Sequence, residues 1–238
     1  MHGPPPDMPV ERLDIHSCED QFQVALHRAR YDFALQNLRP SDTVLEIGTG
    51  LGVFTAELCP RCASYTGVEY DEASCRAARQ RASANVIQGD ARHLSFQDGQ
   101  FSYIVCLEVL EHLGDWKAGV RHIHRCLQSQ GRAVISVPWR KHGGKSSINK
   151  YHLYEPGERE LVLLFKNLFE EVGVFYQYFP ETPLMILVRK LYLCRLLGLH
   201  RLYADLVHGV PAVAARLCIG PVARGMKLGL LLVASGKK

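Results

Sequence analysis

Short apolar runs alternate with helical patterns through the middle of the chain. The apolar runs, rich in β-branched and aromatic residues, predict buried strands at 43–47, 64–69, 85–88, 101–107 and 132–137. The stretches between them carry apolar residues at helical spacing and predict helices at 51–58, 71–84 and 116–128. This alternation is typical of βαβ units, so we expect an α/β fold with a doubly wound, mostly parallel sheet. Such sheets bind their ligands at the carboxyl ends of the strands.

The core and the segments that flank it are expected to form one domain over residues 18–238. Residues 1–17 contain a proline-rich stretch and no apolar signal region, so we expect them to be disordered. An amphipathic helix over Cys18–Leu38 then leads into the core, which we expect at 41–180.

The last part of the chain is less regular. A helix at Glu158–Lys166 and a strand at Val172–Tyr178 are predicted to end the core. Residues 181–225 are expected to form a helical insertion or cap, and 226–235 the final strand. Within the insertion, 184–208 is mostly apolar with a basic rim. This segment could contact a membrane surface peripherally, cap a ligand pocket or form a dimer interface.

Composition bounds the class of protein but not its partners. The chain has 238 residues, 47% hydrophobic and 22% charged, which suits one sizeable domain. A formal net charge of +4 is mild over this length and does not itself indicate nucleic acid or an anionic membrane. The eight scattered cysteines suggest a reducing compartment, and the apolar runs are too short or too often interrupted by charges to span a membrane. We therefore expect a cytoplasmic monomer or homodimer.

The run from Val44 to Gly52 is the strongest indication of function. A buried strand passes into a glycine-rich turn and then a helix, and glycines let the backbone turn sharply and approach a ligand. Gly48, Gly50 and Gly52 follow the spacing Gly-x-Gly-x-Gly, whereas the dinucleotide fingerprint needs its third glycine one position later, at Val53. The spacing disfavours a dehydrogenase.

Two carboxylates stand where an adenosine ligand would need them. Glu69 ends the second strand, about 20 residues past the loop, where an acid can accept both ribose hydroxyl protons. Asp90 follows the third strand and could accept a hydrogen bond from the adenine amino group. Three matched positions on successive strand ends predict an adenosine site.

These motifs resemble those of a known family. Besides the glycine loop, the resemblance includes the runs Gly67-Val68-Glu69, Gly89-Asp90-Ala91, Glu108 to His112 and Leu127 to Pro138. The chain resembles the class I S-adenosylmethionine-dependent methyltransferases, in the group of menaquinone- and ubiquinone-biosynthesis methylases (methyltransferase domain 11). The resemblance covers roughly residues 24–180.

The resemblance implies both a fold and a cofactor. It implies a Rossmann-like sheet of seven strands, the last one antiparallel, and bound S-adenosylmethionine. The residues that would contact this cofactor are Tyr31, Glu46, Gly48, Thr49, Gly50, Gly52, Glu69, Tyr70, Asp90, Ala91, Leu107 and Glu108. Methyl transfer from a sulfonium is an in-line displacement, so such an enzyme mainly aligns the acceptor, the methyl group and the leaving sulfur in a dry pocket.

A cluster of acids and a histidine follows the fourth strand. One helical turn would bring Glu108, Glu111 and His112 onto one face, and with His152 they form a ligand set suited to Mg²⁺, Mn²⁺ or Zn²⁺. The spacing resembles the metal triads of ubiquinone-biosynthesis O-methyltransferases and of small-RNA 3′-terminal 2′-O-methyltransferases, where a metal would lower the pKa of the acceptor hydroxyl. In many relatives the Glu-His pair only caps a helix and shapes the pocket. Without a metal, His112 or His152 is the expected general base, and Glu111 completes the candidate catalytic set.

Three functions are open from the sequence. The leading one is methyl transfer from S-adenosylmethionine to a hydroxyl of a small-molecule or lipid-linked acceptor. The second is 2′-O-methylation of an RNA 3′ end, but aromatic stacking platforms and arginine runs are missing, so nucleic acid is not the expected partner. The third is a non-catalytic S-adenosylmethionine-binding scaffold. A basic loop is either solvated or favours an anionic acceptor, and it contains Arg140, Lys141, His142, Lys145 and Lys150.

Overall fold

A mixed β-sheet organises the chain. The computed structural model describes residues 21–146, 149–180, 218–221 and 225–237. The eight strands are β1 (Thr43–Ile47), β2 (Ser64–Glu69), β3 (Val86–Gln88), β4 (Phe101–Leu107), β5 (Leu127–Pro138), β6 (Phe169–Pro180), β7 (Cys218–Gly220) and β8 (Gly225–Lys237). They stand in the order β3-β2-β1-β4-β5-β8-β6-β7.

The first five strands form the parallel half of the sheet. β1 pairs in parallel with β2 on one side and with β4 on the other, and β3 and β5 continue the sheet outward in the same sense. Strands buried on both faces read as nearly continuous apolar runs, which explains why Phe101–Leu107 was predicted with its observed bounds. The chain order reverses between β1 and β4, and this reversal opens a crevice at the carboxyl ends of the strands.

The last three strands form the antiparallel half. β8 lies antiparallel between β5 and β6, which confirms the expected antiparallel final strand. The sheet has one strand more than predicted, because Cys218–Gly220 pairs antiparallel with Tyr176–Tyr178 at the edge. Assigning residues 218–220 to a helical insertion was therefore wrong. Their backbone groups form hydrogen bonds with β6, which would otherwise be the edge strand.

Within the described residues, five α-helices cover the two faces of the sheet. They are α1 (Gln21–Gln36), α2 (Thr55–Leu58), α3 (Glu72–Ala82), α4 (Trp116–Cys126) and α5 (Glu158–Leu168). Asp71 and Asp115 cap α3 and α4, each accepting a hydrogen bond from a first-turn backbone N–H, at 2.7 and 2.9 Å. One apolar cluster packs α4 and α5 on one face of the sheet, and a second packs α1, α2 and α3 on the other.

Several predicted bounds differ from the structure. The helix expected at 51–58 is confined to Thr55–Leu58, because the chain is still in the turn that follows the glycine loop. The fifth strand starts at Leu127, five residues earlier than predicted, because the polar residues 128–130 continue it beyond the core. The predictions for 1–17 and 181–217 lie outside the described residues. Within the described ranges, none of the helices has the length and apolar character needed to cross a membrane.

Candidate active site

A cavity of about 300 Å³ opens at the carboxyl ends of the parallel strands. This is the lower end of the range for small-molecule sites. One wall comes from the glycine loop and the ends of β2 and β3, and another from the segments at 108–114 and 151–153. The lining residues are Ile47, Gly48, Gly50, Val68, Glu69, Tyr70, Gly89, Asp90, Ala91, Arg92, Glu108, Val109, His112, Leu113, Gly114, Tyr151 and Leu153.

The glycine loop has the backbone that only glycine adopts easily. Gly48, Gly50 and Gly52 all have positive φ angles, of 80°, 53° and 72°. A Cβ on Gly52 would lie 2.6 Å from the Cα of Ala78, so this glycine permits close packing on α3. A Cβ on Gly50 would meet no atom of the described residues within 4 Å, because this glycine faces the cavity. Gly50 and Gly52 therefore serve different purposes.

Glu69 joins the end of β2 to the glycine loop. Its Oε2 accepts a hydrogen bond from the Gly50 N–H at 2.8 Å, and its Oε1 accepts one from the Asp71 N–H at 3.1 Å. The side chain is buried but lines the cavity. Two backbone donors thus fix the direction of a carboxylate that retains lone pairs for a ligand.

Glu46 lies behind the loop and does not line the cavity. It is 1% exposed and accepts hydrogen bonds from the hydroxyls of Tyr31 at 2.6 Å, Thr55 at 2.8 Å and Tyr65. Burial raises the pKa of this carboxyl, although the hydroxyl hydrogen bonds oppose the shift. Glu46 therefore ties α1, α2 and β2 together and supports the loop from the rear.

Asp90 and Arg92 form an ion pair on the cavity wall. The Arg92 guanidinium spans both carboxylate oxygens, with Nε at 3.0 Å from each and Nη2 at 2.6 Å from Oδ2. Burial alone would raise the pKa of Asp90, but the hydrogen bonds and charge of Arg92 outweigh burial and lower the pKa. The wall thus presents an ionised carboxylate whose orientation is fixed by its neighbour.

Glu108 lines the cavity, and its backbone is in the left-handed region, with φ of 56°. Its Oε2 pairs with Nη2 of Arg30 at 3.1 Å, and its Oε1 accepts a hydrogen bond from the Ser136 hydroxyl at 2.8 Å. The Arg30 side chain is only 4% exposed, so this pair is largely buried. A non-glycine residue at positive φ has a strained backbone. Such a conformation is kept where surrounding contacts hold it, as at many functional sites.

Glu111, His112 and His152 come together beside the cavity. One ligand atom from each residue lies within 4.8 Å of the others, and the two imidazole rings meet edge to face with centroids 4.9 Å apart. Glu108 does not belong to this group, so its placement in the predicted metal set was wrong. The segment Leu110–His112 is a 3₁₀ turn rather than an α-helix, and the left-handed Glu108 before it turns its carboxylate toward Arg30.

The His112 ring has a defined tautomer. Its Nδ1 lies 3.1 Å from the carbonyl oxygen of Tyr151. A carbonyl oxygen only accepts, so Nδ1 carries the hydrogen and the neutral ring has its lone pair on Nε2. Because His112 lines the cavity, this imidazole is suited to accept a proton there.

The predicted cofactor residues divide into two groups. Those that line the cavity are Gly48, Gly50, Glu69, Tyr70, Asp90, Ala91 and Glu108. Those found in the protein interior behind its wall are Tyr31, Glu46, Thr49, Gly52 and Leu107. Of the predicted catalytic residues, the cavity lining includes His112, while Glu111 and His152 lie next to it.

Sequence analysis missed part of the lining. Arg92, Tyr151 and Leu153 were not predicted, although Arg92 follows Asp90 by two positions and such spacing often forms a local ion pair. Tyr151 and Leu153 lie on the loop after β5, and no local pattern indicates that this loop returns to the cavity. The backbone carbonyl of Glu111 anchors the loop by accepting hydrogen bonds from the N–H groups of Leu153 and Tyr154, at 2.9 and 3.2 Å.

Comparisons with known proteins agree with this geometry. A family model described as a methyltransferase domain matches residues 45–135. Among curated proteins, the ubiquinone biosynthesis O-methyltransferase of Pseudomonas paraeruginosa is 32% identical over 101 residues, 40% of this chain and 44% of that protein. The demethylmenaquinone methyltransferase of Corynebacterium kroppenstedtii is 31% identical over 97 residues, 41% of this chain and 42% of that protein. The matched chain thus spans less than half the length of these relatives.

Solved structures share the fold. A protein of Thermotoga maritima described as an S-adenosylmethionine-dependent methyltransferase and possible histamine N-methyltransferase aligns with a TM-score of 0.60 at 17% identity, over 90% of each chain. The N-methyltransferase NodS of Bradyrhizobium japonicum, in complex with S-adenosylhomocysteine, aligns with a TM-score of 0.57 at 17% identity, over 90% of this chain and 87% of that one. Residues 45–135 are therefore similar to a methyltransferase domain, and the chain shares the fold of these solved methyltransferases.

Proposed function

We propose that the protein transfers a methyl group from S-adenosylmethionine to a hydroxyl of a small or lipid-linked acceptor. The observation that carries the proposal is one cavity with two different walls. Glu69 and the backbone of the glycine loop line one wall, and His112 lines the other. The name of one curated relative, a ubiquinone biosynthesis O-methyltransferase, supports methyl transfer to oxygen.

The donor would lie along the glycine loop. Glu69 has the position and the oriented lone pairs to accept both ribose hydroxyls, and the ionised Asp90 can accept from the adenine amino group. Glu108 would face the methionine end of the donor. When bound, S-adenosylmethionine supplies an electrophilic methyl group on a sulfonium, so the protein itself needs no covalent nucleophile.

His112 would act on the acceptor. The nucleophilic oxygen of a hydroxyl attacks more readily once its proton is removed, and an imidazole with its lone pair on Nε2 can take that proton at neutral pH. The apolar side chains of Val109, Leu113 and Leu153 around His112 would hold an apolar acceptor and keep water out.

A divalent cation also suits the site, with three of the four predicted ligands. Glu111, His112 and His152 provide one carboxylate and two imidazoles close enough to bind one ion, which would take the place of the Asn149 amide at Nε2 of His152. Such a set would leave coordination positions for an acceptor. A bound metal would hold the acceptor hydroxyl and lower its pKa. Glu108 would stay outside this set, held by Arg30 and Ser136.

The proposal is tested in two steps. Isothermal titration calorimetry with S-adenosylmethionine should give a 1:1 complex, and tritiated donor should then label an acceptor from a panel of phenols, catechols and polyprenylated catechols. The assay is repeated in excess chelator and after adding back Mg²⁺ or Zn²⁺. Full turnover in chelator would reject the metal, and absence of donor binding would reject the whole proposal.

The other two functions are outcomes of the same assay. Labelling of the 3′ nucleotide of a short RNA, with affinity that falls steeply with salt, would show that the acceptor is RNA rather than a small molecule. Tight donor binding without transfer to any acceptor on the panel would favour a binding scaffold.

A further inference from the structure

We propose that Glu155 is a positioning residue for the acceptor end of the cavity: it holds the His152 imidazole in its Nδ1–H tautomer, which keeps the ring's lone pair on Nε2. This inference rests on the proposed function, because it concerns how the histidine beside His112 is prepared for proton transfer or metal binding. Its central test reads the tautomer directly and does not depend on turnover.

The Asn149 amide contacts His152 in a fixed orientation. Its Oδ1 accepts a hydrogen bond from the Tyr151 N–H at 2.9 Å, which fixes the orientation of the amide. The other end of the amide, Nδ2, lies 2.9 Å from Nε2 of His152. An amide nitrogen only donates, so Nε2 must offer its lone pair and the ring hydrogen must sit on Nδ1.

The Glu155 carboxylate lies at the other ring nitrogen of His152. Its Oε1 lies 2.6 Å from Nδ1 of His152 and accepts the hydrogen that the amide geometry puts there. The residue is only 6% exposed, and Arg140 contacts its other carboxylate oxygen. The carboxylate is therefore held between the His152 imidazole and the Arg140 guanidinium.

Glu155 is also held by its backbone. Its N–H donates to the carbonyl of Gly144 at 2.9 Å, and the Gly144 N–H donates back to the Glu155 carbonyl at 3.1 Å. Removing the carboxylate therefore leaves the loop attached. Glu160 offers a matched control nearby, because its carboxylate accepts from the Tyr154 hydroxyl at 3.0 Å and the Gly157 N–H at 2.6 Å and caps α5.

These contacts link the Glu155 carboxylate, the His152 imidazole and the Asn149 amide by hydrogen bonds next to His112. Histidines that act as bases or metal ligands are commonly oriented through their other ring nitrogen by a carboxylate. Among the described residues, Glu155 is not one that lines the cavity, so it would act through His152 rather than on the acceptor.

The test is the tautomer of His152, read at pH 8 from long-range proton–nitrogen NMR correlations of protein with ¹⁵N-labelled histidine. The chain has eleven histidines, so the His152 signals are assigned by their loss in His152→Gln. We expect the Nδ1–H form in the wild type, in Glu160→Leu and in Asn149→Ala, which removes the amide that also favours this form. In the double variant Asn149→Ala/Glu155→Leu we expect at least a tenfold gain of the Nε2–H form relative to Nδ1–H. An Nε2–H ring in the wild type or in Asn149→Ala, or an unchanged ring in the folded double variant, overturns the proposal. The Asn149→Ala result decides even if the double variant does not fold.

A kinetic measurement separates positioning from mere anchoring of the loop. We expect Glu155→Leu to lower kcat about 10- to 100-fold with little change in donor affinity. Glu155→Gln keeps an acceptor oxygen and should recover most of the rate. An equal loss of kcat in Glu155→Leu and Glu160→Leu would contradict the positioning role. If no acceptor is turned over at all, the proposed function fails while the NMR result still decides the role of Glu155.

Discussion

The two ends of the cavity are built in different ways. The end proposed to bind the donor, called the donor end below, uses backbone groups of the glycine loop and two strand-end acids, Glu69 and Asp90, all within residues 48–92 and all fixed by the register of parallel strands. The end proposed to bind the acceptor, called the acceptor end, joins a 3₁₀ turn at 110–112 to a distant loop at 149–155 through side-chain and backbone hydrogen bonds. The first arrangement can persist while the second changes, which is how one fold can serve many acceptors.

The largest expected effect is at the acceptor end. His112→Ala removes the proposed base, so kcat should fall about 1,000-fold, while the dissociation constant for S-adenosylmethionine changes less than about threefold. Steady-state kinetics and calorimetry on the same preparation measure both. If rate and donor affinity fell together, the separation of the two ends would be wrong.

A pair of glycine variants separates packing from binding at the donor end. Gly52→Ala combines a left-handed φ with a Cβ 2.6 Å from the Cα of Ala78, so we expect a loss of about 3 kcal/mol in the free energy of unfolding. Gly50→Ala has the same type of strain but open space, so it should lose only about 1 kcal/mol. Urea denaturation measures both, and equal losses would contradict the different roles of these glycines.

Glu69→Gln tests the donor end by binding. The amide keeps an acceptor for the Gly50 N–H but replaces one carboxylate oxygen and removes the charge, so S-adenosylmethionine should bind about 30-fold more weakly, or ~2 kcal/mol. Turnover at saturating donor should change little. Glu72→Gln is the control, because that acid is exposed on α3 and pairs with Arg76. A similar loss of affinity in both variants would show that net charge, not the Glu69 contact, is responsible.

The smallest effect is a pH dependence at Asp90. Its pKa is lower in the folded protein than the ordinary value of 3.8, so its pairing with Arg92 stabilises the fold above that value. This contribution is lost as the pH falls below 3.8 and through the lower folded pKa, because unfolding then takes up a proton. Unfolding followed from pH 7 to pH 3 should show Asp90→Asn less stable at neutral pH, with the difference shrinking in acid. A difference that stays constant would contradict the ion pair.

The donor end could be predicted from the sequence because its signals are local. The strands at 43–47, 64–69 and 101–107 have their predicted bounds, and glycine spacing together with the acid at a strand end placed Gly50 and Glu69 on one wall. Glu46 shows the limit. Its neighbours Leu45 and Ile47 face the core under α4 and α5, so alternation along β1 turns Glu46 to the other face. There it meets three hydroxyls from other elements, which no local pattern reveals.

The acceptor end could be predicted only in part. Helical spacing correctly grouped Glu111 with His112, but it assumed an α-turn from Glu108 onward. The left-handed Glu108 breaks that turn, and its partner Arg30 lies 78 positions away on α1. The approach of His152, and Glu155 behind it, depends on the path of the loop after β5, which is set by tertiary hydrogen bonds rather than by periodicity.

A crystal structure with S-adenosylhomocysteine bound would show directly whether the cavity is a methyl-transfer site. We expect the two ribose hydroxyls on the Glu69 carboxylate, the adenine beside Asp90 and Ala91, and the sulfur facing the His112 side of the cavity. A ligand bound elsewhere, or one whose sulfur faces away from His112, would contradict the proposal that the two walls form one methyl-transfer site.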